Sequence, residues 1–333
     1  MRGKSPSWRK RLITAIVLLV VAAGLWGLWQ IDLVRQNVEI AYLSFTGGMW
    51  KLRGQQKTID VSSTALGEKR QAIIYLPPGY DAPENKARRY PVLYLLHGFP
   101  NPGGFDSWVR YGRSSQEVDR LIVQGQIPPM IVVCPDGRGK DGLYNDSEFL
   151  DPVRPGVGSS VASFIVKDLV PDIDKEFRTI AKPEARLLGG VSTGGYGAAN
   201  LGLQHPEVWK NVLCLSGYYE ADPKHFAAPL WGDHPDAAKM RAQSPLYILQ
   251  DAKDNTRWQG MFFFVGEGGN EPRRERADSD AFRDALQHAG ITVVHQQPPG
   301  KHSWDVWREL LRNGLIAVKG RLTVTDGHVP ARK

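Results

Sequence analysis

The sequence predicts an α/β fold with a mostly parallel central sheet and helices on both faces. From residue 58 onward, short β-rich runs alternate with amphipathic segments of helical period, an alternation typical of parallel sheets with helical crossovers. The predicted strands are almost continuously apolar, as expected for strands covered on both faces. A chain of 333 residues, 42% hydrophobic and 23% charged, is long enough to bury such a core.

The individual elements follow from local patterns. Pro171 is expected to kink one amphipathic helix, and Gly290 to end a second one. The two predicted helices are Ser160–Phe177 and Ala277–Ala289. The predicted strands are Ala72–Leu76, Val92–Leu96, Met130–Cys134, Arg186–Gly190, Val212–Leu215, Met261–Val265 and Ile291–Gln296.

The N-terminal segment predicts a membrane anchor. Residues 12–31 contain no charge, and twenty helical residues span about 30 Å, roughly the thickness of bilayer hydrocarbon. Residues 1–11 contain five basic residues and no acidic one, so this tail is expected on the cytoplasmic side and the rest of the chain outside the cytoplasm. The alternative is a cleaved signal peptide, but the apolar run extends to Trp26 and Trp29, beyond a typical signal core.

Three further segments complete the predicted organisation: a connector at residues 32–56, a catalytic domain at residues 57–320 and a C-terminal tail at residues 321–333. The formal net charge is +7, and most of it comes from the basic tail before the span. The remaining chain is nearly balanced, so nucleic acid is not an expected partner. Cys134 and Cys214 fall in strands that are not expected to be neighbours, which predicts two buried thiols and no disulfide.

A Gly-x-Ser-x-Gly motif centred on Ser192 is the strongest chemical signal. An apolar strand precedes it, and a helix rich in small residues follows, which is the context of a nucleophile elbow. A serine on such a sharp turn requires small neighbours two positions away on either side, here Gly190 and Gly194. The sequence therefore predicts Ser192 as a nucleophile.

A serine hydroxyl needs a general base, and His302 is the predicted one. It lies in a loop between the last predicted strand and a helix that begins near Trp304. Loops held by rigid elements are common positions for catalytic side chains. His225 and His234, in the long segment after residue 215, remain the alternatives.

The third member of such a triad is a carboxylate located between the strand at 261–265 and His302. The loop after that strand offers Glu267 and Glu271, and the next helix offers Asp278 and Asp280. Glu271 is preferred because the loop must extend outward before it turns back toward the histidine. Glu267 remains the alternative.

Two backbone N–H groups are required to bind the oxyanion. The residue after the nucleophile, Thr193, is predicted to supply one, and Phe99, in the His-Gly-Phe loop after a strand, is predicted to supply the other. His97 is predicted to hold that loop. Trp108 and Trp231 are predicted to line the substrate pocket, although ordinary packing is an equally good interpretation of Trp108. No metal-binding or cofactor motif is present, so none is expected.

Four motifs in order resemble the putative esterase family of α/β hydrolases, over roughly residues 65–317. They are residues 72–81, residues 90–98, the serine elbow and Gly300-Lys301-His302-Ser303-Trp304. The family includes enterochelin and feruloyl esterases, S-formylglutathione hydrolases and mycolyltransferases.

The resemblance implies the α/β-hydrolase fold, a triad of Ser192, an acid and His302, and the oxyanion hole described above. It also favours Glu271, because the mycolyltransferases are similar in having a glycine-rich loop that ends in glutamate. The chain departs from the mycolyltransferases at Thr193 and Gly194, where those enzymes have Met-Ser, and in its predicted anchor.

The leading hypothesis is a membrane-anchored serine esterase facing the cell exterior, with an ester of a lipid or an envelope glycan as substrate. One alternative is an acyltransferase that passes the acyl group to a sugar or lipid alcohol. A second is an inactive hydrolase fold that serves as a binding or scaffold protein; the intact serine and histidine motifs argue against it.

Overall fold

The computed structural model describes residues 24, 32–46, 50–99, 104–139, 147–152, 159–222, 228–231 and 236–322. The chain divides into two compact units, residues 1–50 and 51–333. In the first unit, helix α1 spans Asp32–Thr46, within the predicted connector. Except for residue 24, the predicted span at residues 12–31 lies outside the described residues. Among the residues that are described, no helix has both the length and the apolar character needed to cross a bilayer.

The second unit is built around an eight-stranded sheet with the order β1-β2-β4-β3-β5-β6-β7-β8. The pairings of β1 with β2 and of β2 with β4 are antiparallel, and the five others are parallel. The mostly parallel sheet predicted from the sequence is thereby confirmed. Its strands are β1 (Gln55–Ser63), β2 (Glu68–Leu76), β3 (Val92–Leu96), β4 (Ile131–Pro135), β5 (Arg186–Val191), β6 (Asn211–Leu215), β7 (Phe262–Gly266) and β8 (Thr292–Gln296).

The sequence analysis missed strand β1. It pairs with β2 along nine residues, and most of its side chains are exposed. An edge strand that is covered on one side needs few apolar residues, and the polar sequence QQKTIDVSS therefore lacks the apolar run by which the other strands were found. The sheet consequently begins at Gln55, within the segment predicted as connector.

Helices cover the parallel strands. They are α2 (Ser107–Arg110), α3 (Ser114–Val123), α4 (Val161–Ser163), α5 (Val170–Glu176), α6 (Thr193–Gln204), α7 (Ala228–Trp231), α8 (Ala237–Ala242), α9 (Pro245–Gln250), α10 (Arg273–His288) and α11 (Trp304–Val318). Short 3₁₀ turns occur at Pro83–Asn85, Gly104–Asp106, Pro183–Ala185, Thr256–Trp258 and Lys319–Arg321.

The helix predicted at residues 160–177 is interrupted. A π-helical segment, Phe164–Leu169, separates α4 from α5, and Pro171 lies in the first turn of α5. In a regular helix the proline ring would clash with the carbonyl group four residues earlier; the wider π-helical turn, in which Val170 N–H donates to the carbonyl oxygen of Ile165, accommodates it. The irregularity predicted at Pro171 therefore occurs as a π-helical turn just before this residue.

The hydrophobic core is built around the central strands of the sheet. Every residue of β3 to β7 is inaccessible to solvent or nearly so. Cys134 on β4 and Cys214 on β6 are both free and buried, and β3 and β5 lie between their strands. Two buried thiols were predicted, and the prediction is confirmed. Burial raises the pKa of Cys134 to about 12, so this thiol stays protonated at neutral pH.

Candidate active site

The site lies at the carboxyl ends of the parallel strands, where ligands bind in open α/β sheets. Ser192 follows β5 directly and adopts φ 56° and ψ −119°, a conformation that L-residues rarely adopt and that is characteristic of functional sites. The backbone N–H of Ser192 donates to the carbonyl oxygen of Leu215 at 2.9 Å, and its own carbonyl accepts from Gly195 N–H at 2.8 Å. These contacts hold the strained turn between β5 and α6.

The glycines around Ser192 are required by close backbone packing. A Cβ atom at Gly190 would lie 2.0 Å from the carbonyl oxygen of Gly194, and one at Gly194 would lie 2.3 Å from the carbonyl oxygen of Leu96. Rigid backbone could not yield to either contact. The Gly-x-Ser-x-Gly spacing is therefore a packing requirement of the turn that exposes the serine.

His302 lies between the serine and a carboxylate. Its Nε2 is 3.1 Å from Ser192 Oγ, and its Nδ1 is 3.0 Å from Glu271 Oε2. The carboxylate can only accept, so Nδ1 is assigned the proton and Nε2 is left free to take the serine proton. The imidazole is 40% exposed and the carboxylate 1%, so the base is open to substrate while the residue that orients it is buried.

Glu271 is held as an anion by converging donors. In addition to His302, Ser216 Oγ donates to its Oε1 at 2.5 Å and the backbone N–H of Gly268 donates at 2.8 Å. Burial acts to raise the pKa of Glu271, but the hydrogen bonds from His302, Ser216 and Gly268 outweigh it and hold the pKa below its ordinary value. The carboxylate is thus charged at neutral pH.

Glu267, the alternative acid, has different partners. His295 Nε2 lies 3.2 Å from it, and Gln297 donates to the same carboxylate. The loop between the two glutamates turns tightly against the histidine loop, since a Cβ atom at Gly268 would lie 2.4 Å from the carbonyl oxygen of Gly300. This turn places Glu271, not Glu267, at His302.

Ser216 and Trp307 support the triad and were not identified from the sequence. Ser216 is buried at φ 46°, directly after β6. Its Oγ accepts from Trp307 Nε1 at 2.9 Å and donates to Glu271. Because the indole N–H can only donate, it directs the serine hydroxyl hydrogen toward the carboxylate. The Trp307 ring also packs edge-on against His302, with centroids 4.8 Å apart.

We expect Ser216→Ala to lower kcat about tenfold, because a hydrogen bond to a charged group contributes about 1.5 kcal/mol or more. Trp307→Phe keeps the ring against His302 but removes the N–H, and it should have a smaller effect of the same kind. In the Ser216→Ala background, Trp307→Phe should then cost little more, because the two groups act in series. Additive losses in this double-mutant cycle would contradict the arrangement, and thermal unfolding of each variant controls for stability.

The oxyanion-hole candidates lie on either side of Ser192. Thr193 is the first residue of α6, where backbone N–H groups have no partner within the helix. Phe99 follows Gly98, and a Cβ atom built at Gly98 would lie 3.4 Å from Ser192 Cβ. The loop after β3 therefore passes close to the nucleophile, as the predicted second donor requires.

His97 holds that loop. Its Nδ1 lies 2.8 Å from the carbonyl oxygen of Gly98, and Gly137 N–H donates to its Nε2 at 3.1 Å. Burial lowers the pKa of His97, so the imidazole is neutral, with the proton on Nδ1. This arrangement agrees with the structural role predicted from the sequence.

Both tryptophans predicted to line the substrate pocket are buried. Trp108 is fully buried, donates to the carbonyl oxygen of Leu96 at 2.7 Å and packs edge-on against Trp304. Trp231 is 2% exposed and packs in a small apolar cluster that includes Tyr196. The structure corrects both predictions: each indole lies in the packing behind the site, where its large apolar surface is buried. His225 and His234 lie outside the described residues.

A cleft of about 750 Å³ opens beside Ser192 and His302. The loop after β6, around Tyr218 and Glu220, and the first turns of α10, around Arg274 and Asp278, supply most of its walls. The sequence analysis named Asp278 only as a candidate triad acid, and it did not predict that these two segments meet, because nothing in their local pattern shows it. Only the strand order brings the loop and the helix to the same end of the sheet.

Burial raises the pKa of Asp278 to about 6, although the backbone N–H of Tyr219 opposes the shift; the charged groups facing it are Glu220 and Arg274. An acid with a raised pKa keeps its proton up to a higher pH in the folded state than in the unfolded state. Folding stability therefore falls as pH rises from about 4 through 6.

Asp278→Asn should therefore stabilise the fold by about 1–3 kcal/mol more at pH 8 than at pH 4.5. Denaturant unfolding at both pH values measures this difference. Asp280→Asn on the same helix is the matched control, and an equal effect of Asp278→Asn at the two pH values would contradict the assignment.

One trio within the described residues has metal-ligand spacing: potential ligand atoms of Glu271, Glu275 and His302 lie within 4.8 Å of one another. Two of these residues already make the hydrogen bonds that prepare Ser192 for attack. The donor set is thus accounted for by serine chemistry.

Residues 63–318 match the protein family described as Putative esterase. Since the match covers most of the chain, the protein belongs to this family, whose members are α/β hydrolases with a serine nucleophile that act on carboxylic esters. The resemblance stated from the four motifs is confirmed.

Individual relatives illustrate the range of the family. The chain is 33% identical over 165 residues to an endo-1,4-beta-xylanase/feruloyl esterase of Xylanibacter ruminicola, covering 49% of this chain and 22% of that protein. It is 24% identical to the diacylglycerol acyltransferase/mycolyltransferase Ag85A of Mycobacterium leprae, covering 73% and 79%. A solved ferulic acid esterase superposes with a TM-score of 0.69 at 25% identity, covering 82% of this chain and all of that one.

The chain spans only part of the first curated relatives that it matches, from 22% to 60% of their length. The shared region is the esterase unit. Similarity to these proteins therefore concerns the hydrolase fold and its site.

Proposed function

We propose that this protein is a membrane-anchored serine esterase that acts outside the cytoplasm and hydrolyses carboxylic esters through an acyl-enzyme. The observation that supports the chemistry best is the continuous hydrogen-bonded line from Ser192 Oγ through His302 to the buried Glu271. Such a line supplies a nucleophile, a base and an orienting carboxylate in contact.

In the first step, Ser192 Oγ attacks the ester carbonyl carbon while its proton passes to His302 Nε2. The carbonyl electrons move to oxygen, and the N–H groups of Thr193 and Phe99 stabilise the oxyanion. Collapse of this intermediate expels the alcohol, which takes the proton from Nε2, and leaves Ser192 acylated. Water then attacks the acyl-enzyme, gives a proton to His302, and the acid is released as Ser192 regains its proton.

The anchor is proposed from the sequence of residues 1–31. The basic tail followed by a charge-free span of twenty residues favours a single crossing with the catalytic unit outside. An enzyme held beside a bilayer meets lipids and envelope glycans at high local concentration. Esters of these molecules are accordingly the proposed substrates.

Acyl transfer is the second candidate, and the similarity to a mycolyltransferase supports it. Both reactions share the acyl-enzyme and differ only in whether water or an alcohol attacks it. This chain has Thr193-Gly194 at the positions where mycolyltransferases have Met-Ser, and this difference favours hydrolysis as the main reaction.

Two experiments test the proposal. Membrane fractionation of cells that express the full chain, with protease added to intact and to opened cells, should find the chain in the membrane and its catalytic unit exposed to the outside. The purified protein should release free acid from an envelope-lipid extract, and Ser192→Ala should not. Recovery in the soluble fraction would refute the anchor, and product found only on an added alcohol would favour the transferase.

A further inference from the structure

Charges lining the active-site cleft are unbalanced in the part of the chain that the structure describes. Four of the lining side chains are carboxylates, and only Arg274 bears a permanent positive charge. The carboxylates come from the loop after β6 and from α10; they are Glu220, Asp222, Glu275 and Asp278. Ser192 and His302 line the same cavity, so these charges act on whatever the triad attacks.

Among these acids, one is paired with a cation and two accept hydrogen bonds from neutral groups. Arg274 pairs with Asp222 at 3.3 Å and offsets one carboxylate. Asp278 accepts from the backbone N–H of Tyr219 at 2.9 Å, and Glu220 shares a hydrogen bond with the hydroxyl of Tyr247. Both of these partners are neutral donors, which orient a carboxylate without cancelling its formal charge. Arg241 also acts on Glu220, but it forms its ion pair with Asp251 at 2.5 Å.

Glu275 brings the negative charge next to the catalytic groups. Its carboxylate lies within 4.8 Å of both the His302 imidazole and the Glu271 carboxylate. A charged substrate group close to the scissile bond would thus lie within a few ångströms of Glu275. Over such distances, in a cleft partly shielded from water, attraction and repulsion remain substantial.

We propose that this cleft selects esters by charge: it accepts a group that bears a positive charge, such as an ammonium, and it discriminates against groups that bear a carboxylate or a phosphate. The proposal rests on the esterase function proposed above and specifies its substrate class. The side of the ester that occupies the cleft, acyl or alcohol, is decided by the test.

The test compares esters of similar size that differ in charge. On the alcohol side, these are the butyrates of choline, of its dimethylbutyl isostere, in which carbon replaces nitrogen, and of an alcohol with a terminal sulfonate. On the acyl side, they are nitrophenyl esters with a trimethylammonium, a tert-butyl or a carboxylate end. In either the alcohol series or the acyl series, kcat/KM should fall about tenfold from the cationic to the neutral ester, and about tenfold again from the neutral to the anionic ester.

Two further measurements assign the preference to the cleft. The double variant Glu220→Gln and Glu275→Gln should reduce the ratio of kcat/KM between cationic and anionic esters several-fold. Glu84→Gln is the matched control, because Glu84 is an exposed acid at the 3₁₀ turn Pro83–Asn85, and it should leave this ratio unchanged. Raising the salt concentration to about 1 M should weaken the ranking in the wild type, because the screening length falls to about 3 Å.

The possible results separate this proposal from the esterase proposal. Equal rates for all charges on both sides, or faster hydrolysis of anions, would overturn charge selection while leaving the esterase intact. A charge ranking unchanged in the double variant would overturn the assignment to these acids. Failure to hydrolyse any ester in either series would count against the proposed function itself.

Discussion

Replacing Ser192 by alanine is expected to lower kcat for ester hydrolysis by about four to six orders of magnitude. The hydroxyl is the only nucleophile that the elbow presents to His302, 3.1 Å from Nε2. Alanine fits the turn without new contacts, so the fold should be kept. Residual rates would come from the oxyanion hole acting on water.

His302→Ala is the companion variant and should show a loss of the same order, because nucleophile and base act as a unit. The double variant should be scarcely worse than either single one. Circular dichroism and thermal unfolding establish that each protein is folded. A Ser192→Ala enzyme that retains a tenth of the wild-type rate would exclude Ser192 as the nucleophile.

Glu271→Gln is expected to lower kcat about 10⁴-fold while preserving the shape of the site. Glutamine can offer its N–H₂ group to Nδ1, which favours the wrong imidazole tautomer and leaves Nε2 protonated and unable to accept the serine proton. The neutral amide also cannot stabilise the imidazolium that forms during attack. Steady-state kinetics on a simple nitrophenyl ester measures the loss.

Glu267→Gln is the matched control because it lies four residues earlier in the same loop and is also buried. Its partners are His295 and Gln297, so its kcat should remain within about tenfold of the wild type. Equal losses in the two variants would show that buried charge in this loop, and not the contact with His302, determines the rate.

The stability of the contact between Glu271 and His302 toward acid follows from the same carboxylate. The pKa of Glu271 lies below its ordinary value because its hydrogen bonds outweigh burial. A depressed acid contributes stability above its unfolded pKa and loses it as pH falls through the folded value. The contact between Glu271 and His302 should therefore persist down to about pH 4.5 and weaken only below it.

The nucleophile and the base were predictable from sequence because their signals are local. Gly190 and Gly194 mark the elbow through a steric requirement that extends only two residues to either side of Ser192. The strands β3 to β7 were found because each is fully buried and thus continuously apolar. Strand β1, exposed along most of its length, has no such signal.

The supporting residues could not be predicted because they depend on contacts distant in sequence. Ser216 contacts Glu271, 55 residues away, and Trp307, 91 residues away, and a single serine after a strand has no distinctive pattern. Trp108 illustrates the converse error. A tryptophan in a loop beside the site suggests a pocket wall, but only the path of the backbone shows that its ring turns toward Leu96 and Trp304.

Labelling by a fluorophosphonate probe tests the central claim most directly, because the reagent reacts only with a serine activated as a nucleophile. The full-length wild-type protein should be labelled at one residue, Ser192. Labelling should be absent in Ser192→Ala and strongly slowed in His302→Ala. A folded wild-type protein that does not react, or a Ser192→Ala protein labelled as fast as wild type, would contradict the assignment of this site as the active centre of a serine esterase.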